Sequence, residues 1–248
     1  MIETRMLRKG FGSLKVTDDL SLKIEVGELR ALIGPNGAGK TTLLAQLSGE
    51  LNSDSGQILV GGRDVTSDSV SVRCRGGIAR TYQITSLLKT FSALDNVRIA
   101  VQGVTGNSFS FFREMRREQA LTDRALEALA AVGLYDQRHV LADELGHGEQ
   151  RQIEIAMGLA TSPKVLLLDE PTAGMGAEDS ARIVELIRSI KGTMTIILVE
   201  HDMDTVFGLA DRTSVLVQGR EIVCGNASEV RGHPLVREHY LGQESEHA

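Results

Sequence analysis

Residues 34–41 read GPNGAGKT, and the residues on either side decide what this octapeptide is. Upstream, residues 29–33 (LRALI) form an apolar run of strand length. Downstream, Leu43, Leu44 and Leu47 recur at helical spacing, and Gly49 supplies a stop. The pattern GxxxxGK[ST] between a strand and a helix is a phosphate-binding loop. Gly34, Gly37 and Gly39 let successive backbone N–H groups turn toward a phosphate, and the helix N-terminus adds partial positive charge. Lys40 places a point charge on the β- and γ-phosphates, where it serves binding and catalysis alike. The hydroxyl of Thr41 is a hard oxygen ligand suited to Mg²⁺. Pro35, Asn36, Ala38 and Thr42, the last opening the helix, belong to the same nucleotide-binding stretch.

Two further strand ends carry chemistry. Residues 165–171 (VLLLDEP) are a buried-strand run with two acids at the carboxyl end, where open α/β sheets place their ligands. Asp169 is expected to hold Mg²⁺, directly or through water, and Glu170 to orient and polarise an attacking water. Residues 195–202 (TIILVEHD) form a second such run, ending in Glu200, His201 and Asp202. If the two strands are neighbours, His201 reaches the same edge; that it touches the γ-phosphate rests on the family resemblance given below.

The rest of the chain reads as support for this core. Residues 1–33 read as strands, with alternating or apolar stretches at 20–26 and 29–33 joined by a turn at Gly27, and QILVGGRDV is a hairpin turning at Gly61 and Gly62. Residues 91–160 change to Ala, Leu, Glu and Arg at helical periodicity, most clearly over 113–132. The phenylalanines before that stretch, Phe109, Phe111 and Phe112, read as core of a helical block. An amphipathic helix at 180–190 separates the two buried strands, SVLVQGREIVCG closes as a hairpin, and a short polar helix ends the chain.

The 248 residues, 42% of them apolar, suffice for a real core, and the formal charge of −6 argues against a broad nucleic-acid surface. There is no signal-peptide core, and no apolar run approaches the roughly 20 residues of a membrane span. The expected location is therefore cytoplasmic. Cys74 and Cys224 lack metal-ligand spacing and read as reduced thiols.

Taken in order, these motifs resemble those of ABC ATPases. Gln83 in RTYQITSLL looks like the Q-loop glutamine, and LGHGEQRQIEIAMGLA at 145–160 resembles the signature motif with its helix. AGMG at 173–176 is similar to the D-loop, His201 matches the switch histidine, and Phe11 sits where the family carries an adenine-stacking aromatic. The resemblance implies an α/β fold: a P-loop NTPase core of ABC ATPase type with an antiparallel β subdomain and an inserted helical subdomain. In this division residues 1–90 and 161–248 form the nucleotide-binding core, residues 91–160 the helical insert, and the whole a single ATPase domain.

The same resemblance implies ATP and Mg²⁺ as cofactors and a head-to-tail dimer with a second ATPase chain, identical or homologous. Each nucleotide then lies between one P-loop and the opposite signature motif, here Gly146, Gly148 and Glu149. Gln83 senses the metal and contacts the transmembrane permease. A solute-binding protein is an indirect partner, nucleic acid is not one, and the chain is peripheral on the inner face of the cell membrane. The signature departs from the usual LSGGQ: Gly146 stands at the serine position.

Within the family, FGSLKVTDDLSL, the long insert after Gln83 and the ending HPLVREHYLG look like the longer ATPase of branched-chain amino acid uptake systems. Urea, amide and other amino acid systems stay open. Lipopolysaccharide export ATPases are similar in size but expected to lack so long an insert, and the soluble ATPase of iron–sulphur cluster assembly shares the fold. DNA-repair relatives are disfavoured by the acidic charge and the absence of a long coiled coil, and translation-factor relatives carry two cassettes.

Overall fold

The computed structural model describes residues 1–81, 87–105 and 111–236, with backbone alone for 111–117. The N-terminal hairpin pairs β1 (Ile2–Phe11) with β2 (Leu14–Ile24), and β3 (Leu29–Ile33) runs into the Gly-rich loop ahead of α1 (Lys40–Ser48). A second hairpin, β4 (Ser55–Val60) with β5 (Arg63–Asp64), precedes α2 (Val70–Arg75) and β6 (Ile78–Arg80). The helical region holds α3 (Ala93–Thr105), α4 (Phe111–Ala131) and α5 (His147–Ala160). β7 (Val165–Asp169), α6 (Ala177–Ile190), β8 (Thr195–Val199) and α7 (Met203–Leu209) return to the core. The hairpin β9 (Arg212–Val217) and β10 (Arg220–Gly225) follows, then α8 (Ala227–Gly232) and α9 (Pro234–Val236).

The strands form two sheets. One is antiparallel in the order β2-β1-β4-β5; the other runs β10-β9-β3-β8-β7-β6, parallel except at the β10 edge. Side chains on a strand alternate between faces, and β7 and β8 split accordingly. Val165, Leu167, Ile197 and Val199 enter the core shared with α1 and the antiparallel sheet. Leu166, Leu168, Ile196 and Leu198 enter the core shared with α3, α4, α5 and α6. Both faces are covered, so β7 and β8 are apolar without interruption. Full burial of each such side chain contributes about 1.5–3 kcal/mol. A third, smaller core packs Ala31, Ile33 and Val215 against Val206 of α7 and Val230 of α8.

The amphipathic helix expected over 180–190 starts earlier, at Ala177, because Gly176 in extended conformation supplies the N-cap and two acids occupy the first turn. Short elements had no sequence signal, among them α2, α7 and β6, the last with three residues, too few for periodicity. Among the described residues no helix is long and apolar enough to cross a membrane. The C-terminal ends of β3, β7 and β8 lie side by side, since Leu32 pairs with Val199 and Asp169 pairs with Val199 from the other side. That edge carries the site.

Candidate nucleotide site

Between β3 and α1 the backbone takes positive φ at Gly34 (147°), Gly37 (78°) and Gly39 (100°), which a side chain would resist. Space adds a second constraint. A Cβ at Gly34 would lie 2.0 Å from the Leu216 carbonyl oxygen, and one at Gly39 would lie 2.3 Å from that of Val16. The loop is thus pressed against β9 and β2. Lys40 is buried and donates to the carbonyls of Gly34 at 2.6 Å and Pro35 at 3.0 Å, so its ammonium lies across the loop mouth. Burial pulls its pKa below the ordinary lysine value, against the opposing charges of Glu170 and Asp169.

The two strand ends expected to be neighbours are neighbours. β7 pairs with β8 over its whole length, which brings His201 Nε2 into direct contact with Glu170 Oε1. Glu170 takes φ of 47°, in the left-handed region. For a residue other than glycine this conformation costs about 1–3 kcal/mol and persists only where surroundings enforce it. The enforcing bonds are on both sides: Glu170 N donates to the Val199 carbonyl at 2.9 Å, and Arg151 Nη2 donates to the Glu170 carbonyl at 3.1 Å.

Asp169, almost wholly buried, faces Thr41, whose hydroxyl lies 3.4 Å from Asp169 Oδ1. Among the described residues no group of three or more His, Cys, Asp or Glu side chains could hold a metal. A hydroxyl beside a carboxylate fits Mg²⁺, which keeps several waters and takes its remaining ligands from phosphate rather than from a protein cage. Gln83 lies outside the described residues.

Phe11 ends β1 with its ring 54% exposed, and Lys9 Nζ stands 5.6 Å from the ring centroid. An aromatic face left to solvent at a hairpin tip is available to a flat ligand. Gly146 is the N-cap of α5 in extended conformation, and its N–H donates to Glu149 Oε2 at 2.9 Å. Gly148 follows inside the first turn, where a Cβ would lie 2.6 Å from Asp179 of α6. Gly146, Gly148 and Glu149 therefore share one helix end, and that end is acidic.

Several supporting residues lie within the quoted motifs without a role that those motifs assign. Arg151 of α5 spans three carbonyls, of Asp169 (2.8 Å), Glu170 (3.1 Å) and Pro171 (3.3 Å), while its Nη1 donates to Glu154 at 2.6 Å. Glu200 is buried and accepts from the backbone N–H and the hydroxyl of Thr172, at 3.0 and 2.6 Å. Arg80 donates to Asp169 Oδ2 at 2.9 Å. Only a charged residue on an otherwise buried face could have pointed to Arg151 and Glu200, and that requires knowing the face.

A sequence profile described as ABC transporter matches residues 17–173. The chain belongs to the ABC transporter family. It is an ATP-binding subunit whose hydrolysis of ATP is coupled to transport. Among curated relatives of this ABC ATPase, the high-affinity branched-chain amino acid transport ATP-binding protein LivG of Salmonella typhimurium is 35% identical over 240 residues, covering 94% of each chain. The lipopolysaccharide export ATP-binding protein LptB of Acidithiobacillus ferridurans is 32% identical over 245 residues, covering 98% of each. A match of that extent gives no support to the expectation that export ATPases differ by lacking the insert. Among solved structures, the ADP conformation of MJ1267, an ATP-binding cassette of an ABC transporter, superposes with a TM-score of 0.84 at 27% identity over 98% of both chains. The expected ABC ATPase fold is therefore present.

Proposed function

We propose that this chain powers an amino acid importer of the branched-chain type, acting at the inner face of the cell membrane beside transmembrane permeases and a second ATPase chain. The observation that carries this reading is near-full-length identity of 33–35% to LivG proteins of several bacteria. In this reading Phe11 stacks on adenine, the loop at 34–39 wraps the phosphates with N–H groups, and Lys40 neutralises charge on them. Thr41 and Asp169 hold Mg²⁺, with Gln83 as a further contact; the ion, when bound, offsets charge developing on the phosphates. Glu170 takes a proton from the attacking water, and His201, already at Glu170 Oε1, steadies both the carboxylate and the γ-phosphate. The α5 end at Gly146, Gly148 and Glu149 faces the nucleotide of the second chain in a head-to-tail dimer.

A cavity of about 220 Å³ lies between α2, β6, α3 and α5, lined in part by Val70, Cys74, Thr81 and Met157. Thr81 of its lining stands two positions before Gln83 in the sequence, and we assign the permease contact to this cavity. Lipopolysaccharide export is the second reading, favoured by the LptB match. Purification of the chain from detergent-solubilised membranes with its bound proteins separates the two. Two hydrophobic permeases and a second ATPase, with amino-acid-stimulated turnover, are the expected result. Co-purification with lipid-export proteins would move the assignment to LptB-like export, and a soluble scaffold would remove it from transport altogether.

A further inference from the structure

Arg80 ends β6, three positions before Gln83, and its side chain is only 7% exposed. Its two terminal nitrogens are committed to different carboxylates: Nη2 to Asp169 Oδ2 and Nη1 to Glu50 Oε2, each at 2.9 Å. Glu50 is held in turn, since the Ser48 hydroxyl donates to its Oε1 at 2.9 Å. Ser48 is the last residue of α1 and Thr41 lies in its first turn, so the chain Ser48, Glu50, Arg80, Asp169, Thr41 ties both ends of the helix after the phosphate loop.

A carboxylate can turn about its last bond and offer either oxygen or both to a cation. With Oδ2 held by a guanidinium, Asp169 has Oδ1 directed at Thr41. Its side chain, 1% exposed, would otherwise face the full cost of a buried charge. From this geometry we infer that Arg80 is a positioning residue for the metal: it fixes the Asp169 carboxylate so that Oδ1 and the Thr41 hydroxyl form one prearranged hard-oxygen pair, and Glu50 fixes Arg80. This rests on the reading of Thr41 and Asp169 as the Mg²⁺ side chains. Hydrogen-bond partners that orient a ligating carboxylate set metal affinity, and their loss typically costs 10–100-fold.

The test is ADP binding to the full chain, measured in EDTA and across a Mg²⁺ titration, with Thr41→Ala as reference for loss of a metal ligand. Arg80→Gln should keep the metal-free ADP affinity of the wild type, yet need roughly 10-fold more Mg²⁺ for half of the metal-dependent tightening. Arg80→Lys, which retains charge but offers a single nitrogen in place of the two that hold separate carboxylates, should recover part of the shift. Glu50→Gln should shift the midpoint in the same direction by less, and it decides the matter if Arg80→Gln does not fold. An unchanged Mg²⁺ midpoint in the variants, or an equal loss of ADP affinity without metal, would overturn the inference and leave Arg80 a structural ion pair. A wild type with the same Mg²⁺ response as Thr41→Ala would overturn the metal reading itself.

Discussion

Replacing Arg151 by Met should destabilise the fold far more than a change at one exposed arginine. The side chains of Arg151 and its partner Glu154 are 7% and 6% exposed, and the two groups meet at 2.6 Å. Removing only the guanidinium leaves a buried carboxylate without this charge partner, which costs about 3–5 kcal/mol. The carbonyls of Asp169, Glu170 and Pro171 lose their common donor at the same time. For a chain of this size such a loss corresponds to a fall of about 6–20 °C in Tm. The assay is thermal unfolding without nucleotide, for Arg151→Met, Glu154→Met and the double variant. Because the double variant removes both charges and fills the space with apolar atoms, it should be more stable than Arg151→Met alone. A single variant that melts with the wild type, or a double variant that adds the two losses, would refute the reasoning. Hydrolysis should fall in Arg151→Met even where the protein is folded, because the backbone of both strand-end acids is released.

Gly146→Ser restores a hydroxyl at the serine position of the signature motif. It is sterically permitted, since Gly146 has φ of −65° and a Cβ there would meet only Glu149 Oε2, at 3.6 Å. Without that hydroxyl, the site this motif completes lacks one charge-assisted hydrogen bond to the γ-phosphate, worth roughly 1.5–3 kcal/mol, so ATP-dependent closure and hydrolysis in the assembled complex should rise at least several-fold; no gain in either would show that Gly146 does not weaken that site. Asp202→Ala removes the carboxylate that caps α7 through the N–H groups of Asp204 and Thr205, and should cost about 0.5–2 kcal/mol at neutral pH by urea unfolding. The Thr205 hydroxyl, followed by the backbone N–H groups, holds the Asp202 pKa below the ordinary 3.8. A depressed carboxylate stabilises the fold above its unfolded pKa and ceases to as pH falls through its folded value, so the gap between wild type and variant should shrink only below about pH 4. A gap that closes nearer neutrality would assign the effect to another group.

The parts of the site that the sequence made legible are those fixed by backbone chemistry. Gly34, Gly37 and Gly39 announce a positive-φ loop, and the apolar runs of β3, β7 and β8 announce strands covered on both faces. The placing of His201 at the same edge as Glu170 was conditional on strand order, which periodicity does not encode; the pairing of β7 with β8 supplied it. Arg80 and Arg151, and the role of Glu200 beyond its place at a strand end, were illegible for a different reason. Each is a charged residue whose meaning lies in burial against another element, and a lone Arg or Glu in sequence reads as surface. The helix α2 and the strand β6 escaped because six and three residues are too short to display a period.

ATP turnover by Glu170→Gln tests the central claim most directly. The substitution should keep the shape, the backbone conformation and the hydrogen bond to His201, while removing the carboxylate proposed to take a proton from water. In the complex assembled with its membrane partners, ATP binding should be retained, hydrolysis should fall by about 10²–10⁴, and ATP should hold the two ATPase chains together. Turnover close to that of the wild type would contradict the assignment of Glu170 as the base and, with it, this account of the site.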